Sequence, residues 1–165
     1  MFAGIDPGKD GAFAILDPDG QIVEVWTMPT IGKEYDKQEM IKRFNQYEIT
    51  HAVLENVHAP QLGGRTSCFE FGRGKGLLEM LLFAQKIPHT QVTAQTWQKT
   101  MWQGVSKQYK ISRSGKSVDT KNTSLLACKR LFPFADLRRS EAARVAHDGI
   151  VDAVLMAEYC RRNFK

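Results

Sequence analysis

Short apolar runs separated by polar breaks mark out the first third of the chain. Phe2-Ala-Gly-Ile5 and Gly11-Ala-Phe-Ala-Ile-Leu16 are nearly unbroken apolar stretches, which predict buried strands over 2–5 and 11–16. Asp17-Pro18-Asp19-Gly20 supplies hairpin chemistry, since Pro presets one dihedral and Gly accepts a positive one. A partly alternating run over 21–28 predicts a third strand, and three strands with short connections predict an antiparallel meander. Asp36 is placed to N-cap a polar helix near 37–47, whose Met40, Ile41 and Phe44 are spaced to face a core. His51-Ala-Val-Leu then predicts a fourth strand ending at Glu55, and a loop leads into a long Leu-, Met- and Phe-rich helix over 67–86. Gly72, Gly74 and Gly76 lie inside that helix, where each glycine costs about 1 kcal/mol, so its first part is either loose or closely packed. A short fifth strand (91–93), a helix (94–102) and helices over 119–132 and 144–163 complete the pattern. A β-β-β-α-β order followed by helix, strand and helices predicts an α/β fold, a mixed five-stranded sheet covered by helices, and argues against a purely doubly wound parallel sheet.

Composition narrows the class. A chain of 165 residues, 42% hydrophobic and 25% charged, suits a single domain over 1–165 with a proper core. No apolar run approaches the roughly 18 residues of a membrane helix, and the start lacks a basic segment followed by an apolar signal core. Cys68, Cys128 and Cys160 are odd in number, widely spaced and without a CxxC pair, which reads as reduced thiols in the cytoplasm. The net charge of +5 is less informative than its placement. Lys99, Lys107, Lys110, Arg113, Lys116 and Lys121 share a segment whose only acid is Asp119, with Trp97, Trp102 and Tyr109 interleaved or adjacent. That segment is either a solvated loop or a nucleic-acid contact, and a reaction centre nearby would decide for the second.

Such a centre is suggested by acids that end apolar elements. Asp6 and Glu55 each close a buried strand, and if the strands are neighbours their carboxylates meet at one sheet edge. In the last helix Asp148 and Asp152 stand four apart, on a face shared with Val151, Leu155 and Tyr159. Like charges at that spacing repel, unless Arg144, four residues before Asp148, relieves them as in an ordinary solvated helix. Carboxylate oxygens suit a hard cation, Mg²⁺ or Mn²⁺, rather than zinc. Two such ions about 4 Å apart can support phosphodiester hydrolysis. No nucleophilic serine or cysteine motif competes with this reading.

These residues resemble the RuvC family of Holliday junction resolvases, within the ribonuclease H-like nuclease fold, with the phage-borne branch the nearer match. The matching stretches are Gly4-Ile5-Asp6-Pro7-Gly8, Val53-Leu54-Glu55 and His147-Asp148-Gly-Ile-Val-Asp152-Ala, supported by Phe69-Glu-Phe-Gly-Arg-Gly-Lys-Gly76 and Thr93-Ala-Gln-Thr-Trp97. The resemblance implies a metal-dependent endonuclease of phage-infected or bacterial cytoplasm that resolves four-way DNA junctions as a homodimer by two symmetric nicks. It implies Asp6, Glu55, Asp148 and Asp152 as ligands of two Mg²⁺ ions, and no nucleotide cofactor. The bacterial pattern spaces its last two acidic or histidine positions three apart, so either His147 or Asp148 faces the metal. Sharing a face with Asp152 favours Asp148, and His147 would assist the attacking water or simply start the helix. His51, His58 and His89 are read as structural. Lys107, Lys110, Arg113, Lys116 and Lys121 would grip phosphates, with Arg73 beside them. Phe69 or Phe71 would wedge against bases at the crossover or pack in the core.

The helix over 74–86, with Leu77, Leu78, Met80, Leu81, Leu82 and Phe83, is apolar enough either for a dimer interface or for the core. A twofold dimer matches the symmetry of a four-way junction. Two other functions fit part of the pattern: a relative that trims structured RNA, and a branched-DNA-binding module whose acids no longer work. A sugar-kinase-like or actin-like ATPase also begins with Asp and Gly but needs two lobes, more than this length allows.

Overall fold

The computed structural model describes residues 1–57, 64–112 and 115–164. The first half runs β1 (Phe2–Asp6), β2 (Ala12–Leu16), β3 (Ile22–Thr27), β4 (Thr30–Ile31), β5 (Glu34–Tyr35), α1 (Lys37–Phe44) and β6 (His51–Glu55). The second half runs α2 (Arg65–Ala84), β7 (His89–Val92), α3 (Ala94–Met101), β8 (Tyr109–Ser112), β9 (Gly115–Val118), α4 (Thr120–Leu131) and α5 (Asp148–Asn163). The main sheet has the order β3-β2-β1-β6-β7, antiparallel through the opening meander and parallel from β1 to β6 to β7. This is the mixed five-stranded sheet that the hydrophobic pattern predicts.

Side chains alternate across a strand, and here the alternation separates two cores. Ala3, Ile5, Phe13, Ile15, Ala52 and Leu54 face α1 and α2, joined by Met40, Phe44, Leu78 and Leu82. Phe2, Ala12, Ala14, Leu16 and Val53 face the other way, towards α3, α4 and α5. By the same alternation Asp6 and Glu55 belong to the α5 side. Ile5 pairs with Leu54 in the parallel register, so the two acids occupy the next step on neighbouring strands.

Helix α5 lies against β1 with nothing between them at one point. A Cβ on Gly4 would stand 2.1 Å from the Ala153 carbonyl oxygen and 2.3 Å from the Ala157 nitrogen, so only glycine permits this approach. Gly149, Ala153 and Ala157 recur every fourth residue and form the smooth stripe of α5 that makes the contact possible.

Several expectations change. Helix α5 starts at Asp148 with His147 as its N-cap, not near 144, so Arg144 is outside the helix and is not the partner of Asp148. The basic segment carries a two-stranded hairpin, β8–β9, both of whose strands are largely exposed. A strand pair with no buried face leaves no alternation to read. The small β4–β5 hairpin, turning at Gly32 with φ 60°, was likewise unmarked by apolar pattern. Ile41 is exposed rather than in the core, while Met40 and Phe44 are buried. Within α2, Gly74 is closely packed, because a Cβ there would meet the Tyr35 hydroxyl at 2.2 Å, whereas Gly72 and Gly76 face open space.

Candidate functional site

At the carboxyl end of β1, Asp6 lies under the first turn of α5, where a Cβ on Gly149 would stand 2.9 Å from Asp6 Oδ2. The positive end of a helix favours a carboxylate by about 1 kcal/mol. Burial and neighbouring charge overwhelm that. Burial first, then Asp152, Glu55 and Asp148, push the Asp6 carboxyl from 3.8 up to about 8. Asp152 is pushed up to about 7, mainly by burial and with contributions from Glu55 and Asp148, while the Ser124 hydroxyl and Lys121 oppose the rise. The Glu55 carboxyl is also raised by burial, against the hydrogen bond it accepts. These shifts bring Asp6, Glu55, Asp148 and Asp152 into one electrostatic neighbourhood, although they come from β1, β6 and α5.

Each acid has a different setting. Glu55 is buried and its Oε1 accepts a hydrogen bond from Trp97 Nε1 at 3.0 Å. Asp148 is exposed and its Oδ2 takes Lys121 Nζ at 2.5 Å. Asp152 keeps one buried oxygen, Oδ1, with no hydrogen-bonding partner among the described residues. A buried carboxylate oxygen left without a partner is costly. Among the described residues, no three His, Cys, Asp or Glu side chains form a ready-made cluster able to hold a metal ion. The acids are neighbours within electrostatic reach rather than a closed ligand set, and like charges in a poorly solvated pocket have no reason to close up by themselves. The oxygen-only donors, the raised Asp6 and Asp152, and the orphaned Asp152 Oδ1 together fit a hard divalent cation drawn in between them.

The other candidates fall in varied places. His147 Nδ1 accepts from the Ile150 amide at 3.4 Å, which makes the residue the helix-start cap. Lys121, expected among the phosphate-gripping bases, is instead ion-paired at the acidic centre. Arg73 pairs with Glu34 and Glu70, at 2.5 and 3.1 Å, so it is already committed to carboxylates. Lys107, Lys110 and Lys116 are exposed, with Lys116 Nζ 4.5 Å from the Tyr109 ring centroid. The hairpin that carries Lys110 and Lys116 is tied to α4 at its base: the Asp119 amide donates to the Gln108 carbonyl at 2.8 Å and the Gln108 amide to Thr123 Oγ1 at 3.0 Å. Since α4 also carries Lys121, the basic hairpin springs from beside the acids. Phe69 is 69% exposed on the first turns of α2, and Phe71 is half-buried. Lys9 on the loop after Asp6 meets Glu70 at 3.2 Å, so this end of α2 borders the centre. His51 stacks on Phe164 and meets Thr90 Oγ1 at 2.9 Å, and His89 Nδ1 lies 3.2 Å from the Ile87 carbonyl, so both have structural partners. Arg113 and His58 lie outside the described residues.

Trp97 and Trp102 do not belong to the basic surface as their interleaving suggested. Trp97 is wholly buried, and Trp102 is half-buried with its Nε1 donating to Ser124 Oγ at 3.2 Å. Their link to the acids, like the Lys121–Asp148 pair, depends on contacts distant in sequence, and no spacing rule exposes it. Cys128 is buried, and its thiol is pushed up to about 12 by burial and by Asp152, which disfavours the thiolate.

A mixed sheet in this strand order, with acids gathered at the carboxyl edge of its central strands beneath a final helix, defines the ribonuclease H-like class of fold. Comparison with solved structures agrees. The chain is similar to the RuvC structure of Thermus thermophilus in complex with a Holliday junction substrate, with TM-score 0.61 and 11% identity over 94% of this chain and 88% of that one. It is similar to a second T. thermophilus RuvC structure with TM-score 0.60 and 14% identity, over 94% of this chain and 89% of that one. No family model matches the sequence, and no curated protein matches it. The chain therefore has a RuvC-like fold, recognisable in three dimensions well beyond what its sequence shares.

Proposed function

We propose that this chain is a divalent-metal-dependent endonuclease of branched DNA, acting on Holliday junctions as a homodimer. The observation that carries the reading is the convergence of acids in which burial raises Asp6 and Asp152 and leaves Asp152 Oδ1 orphaned, on a fold similar to that of a protein solved with a Holliday junction. Asp6, Glu55 and Asp152 would hold the cation, with Asp148 at the rim. When bound, Mg²⁺ or Mn²⁺ supplies an activated water and charge stabilisation for phosphodiester hydrolysis.

The chain's own residues supply position and exclusion. Trp97 fixes the orientation of Glu55, and the packing of Gly4 and Gly149 against their neighbours sets the distance between β1 and α5. Lys121 holds Asp148 aside and brings a positive charge to the centre, where it would meet a substrate phosphate. Lys107, Lys110 and Lys116 would contact the backbone of a DNA arm without reading its sequence. Phe69, exposed at the near end of α2, would stack on an unpaired base at the crossover.

The dimer reading rests on the far end of α2. Leu78, Leu81 and Leu82 go to the core, but Met80 and Phe83 are 61% and 73% exposed. Leu77, Met80, Leu81 and Ala84 of α2, with Lys37, Met40 and Ile41 of α1, line a groove of about 340 Å³ whose only charged member is Lys37. A second copy covering it would pair two centres on a twofold substrate. No helix among the described residues is long and apolar enough to cross a membrane.

The test is a cleavage panel of a four-way junction, linear duplex and structured RNA, with Mg²⁺ and with chelator. Paired nicks in the junction that require the cation are expected. Tight junction binding with no cutting in Mg²⁺ or Mn²⁺ would identify a binding module instead, preferential RNA cutting would move the substrate, and equal cutting in chelator would refute the metal assignment.

A further inference from the structure

Two tryptophans, Trp97 in the middle of α3 and Trp102 at its C-cap, lead towards two different acids of the centre. Trp97 Nε1 donates to Glu55 Oε1 at 3.0 Å within the core. Trp102, the C-cap of α3, donates its Nε1 to Ser124 Oγ at 3.2 Å. Ser124 is 2% exposed on α4, and its hydroxyl opposes the rise of the Asp152 carboxyl. A hydroxyl that accepts from an indole still has its own proton to give, so the Trp102 contact leaves the Ser124 proton free for an acceptor such as Asp152. An indole N–H is only a donor and never ionises or ligates. It can therefore occupy one carboxylate oxygen without competing for the cation.

We infer that α3 is the positioning element of the centre: Trp97 directly, and Trp102 through Ser124, each hold one acid so that an oxygen of Glu55 and an oxygen of Asp152 stay turned towards a divalent cation. The inference rests on the nuclease reading only for the existence of that cation. The orphaned Asp152 Oδ1 is the oxygen this arrangement leaves open. A simpler role is available to any buried tryptophan, namely filling the core and finding its N–H some partner. Trp26 shows that the fold does not demand a partner: it is buried, packed on Phe13 and Phe44, and its Nε1 has no hydrogen-bond partner among the described residues. Trp97 and Trp102 differ from it in where their N–H groups end.

The experiment separates support from packing. Mn²⁺ binding to the whole chain without DNA is measured by electron paramagnetic resonance or calorimetry for wild type, Trp97→Phe, Trp102→Phe, Ser124→Ala and Trp26→Phe. Phenylalanine keeps one aromatic ring and removes the donor together with part of the indole's volume, a loss that Trp26→Phe shares and therefore controls for. Supporting contacts of this kind typically change metal affinity by about 10- to 100-fold. Trp97→Phe should weaken Mn²⁺ by about tenfold or more, Trp102→Phe and Ser124→Ala should weaken it by similar, smaller factors, and Trp26→Phe should leave it unchanged. In wild type, added Mg²⁺ should move the indole N–H resonances of Trp97 and Trp102 but not that of Trp26.

Unchanged Mn²⁺ affinity in Trp97→Phe and Ser124→Ala overturns the inference, as does equal weakening in Trp26→Phe. If Trp97→Phe fails to fold, Trp102→Phe and Ser124→Ala decide the matter alone. Wild type that binds Mn²⁺ in the predicted way yet cuts no DNA sinks the nuclease reading and leaves α3 its role. Wild type that binds no Mn²⁺ overturns both.

Discussion

Replacing Asp6 with asparagine tests the centre through stability, without DNA. In the folded chain the Asp6 carboxyl is lifted from 3.8 to about 8, with burial the largest cause and Asp152, Glu55 and Asp148 adding to it. A group that holds its proton more tightly when folded contributes stability that is complete below its unfolded value and is lost as pH rises through its folded one. The metal-free protein should therefore weaken from about pH 4 to about pH 8. At about 1.4 kcal/mol per pH unit, the loss assigned to Asp6 is on the order of 5 kcal/mol. Asparagine has nearly the same shape and cannot ionise. Asp6→Asn should accordingly match wild type near pH 4 and exceed it by several kcal/mol near pH 8.5, in urea unfolding with chelator present. Adding Mg²⁺ at the higher pH should narrow the gap by about half. A cation at about 100 times its dissociation constant stabilises by about 2.7 kcal/mol, and only the wild type keeps the full ligand set. Wild-type stability that is flat across this pH range, or an Asp6→Asn protein no firmer than wild type near pH 8.5, would refute the picture of an acid buried without compensation.

Asp6→Asn, Glu55→Gln and Asp152→Asn should each abolish junction cleavage while gel-shift binding in Ca²⁺ persists, and retained cutting would remove that residue from the ligand set. Changing Lys107, Lys110 and Lys116 together to alanine should weaken junction binding and lower the slope of log affinity against log salt by roughly 2 to 3, about 0.9 for each phosphate no longer neutralised; an unaltered slope would free the hairpin of its DNA role. Phe83→Glu should convert a sedimenting dimer into a monomer with little change in melting temperature, because Phe83 is 73% exposed. Gly4→Ala should destabilise by about 3 kcal/mol or more, since its Cβ would meet helix backbone rather than a side chain that can turn aside.

What could be read in the sequence was whatever a local pattern encodes. Continuous apolar runs gave β1, β2 and β6 within a residue of their bounds, because a strand buried on both faces leaves no polar interruption. Asp36 and Asp119 were legible helix starts, and their side chains do cap, accepting from the Glu39 and Asn122 amides. The convergence of Asp6 with Glu55 followed from two strands that end in acids, once parallel pairing put those ends in register. The failures have the opposite character. The β8–β9 hairpin buries neither face, so its residues read as a basic loop. The start of α5 was placed too early because 144–147 contains nothing that forbids a helix, and His147 is a cap only through the fold around it. Trp97, Ser124 and Lys121 take their significance from partners 42, 22 and 27 positions away in the chain, counting Trp97 to Glu55, Ser124 to Trp102 and Lys121 to Asp148. Composition put Lys121 with the phosphate-binding bases, and geometry puts it with the acids.

The bare seat of α5 on Gly4 bears on how such a protein can change. There the gauge between strand and helix is main chain against main chain, and no rotamer or methyl group sets it. Swaps among leucines and methionines elsewhere in the two cores can soften or stiffen the molecule while Asp6 and Asp152 keep their separation. Durability and chemistry are thus adjustable on separate dials, and one residue without a side chain keeps them uncoupled.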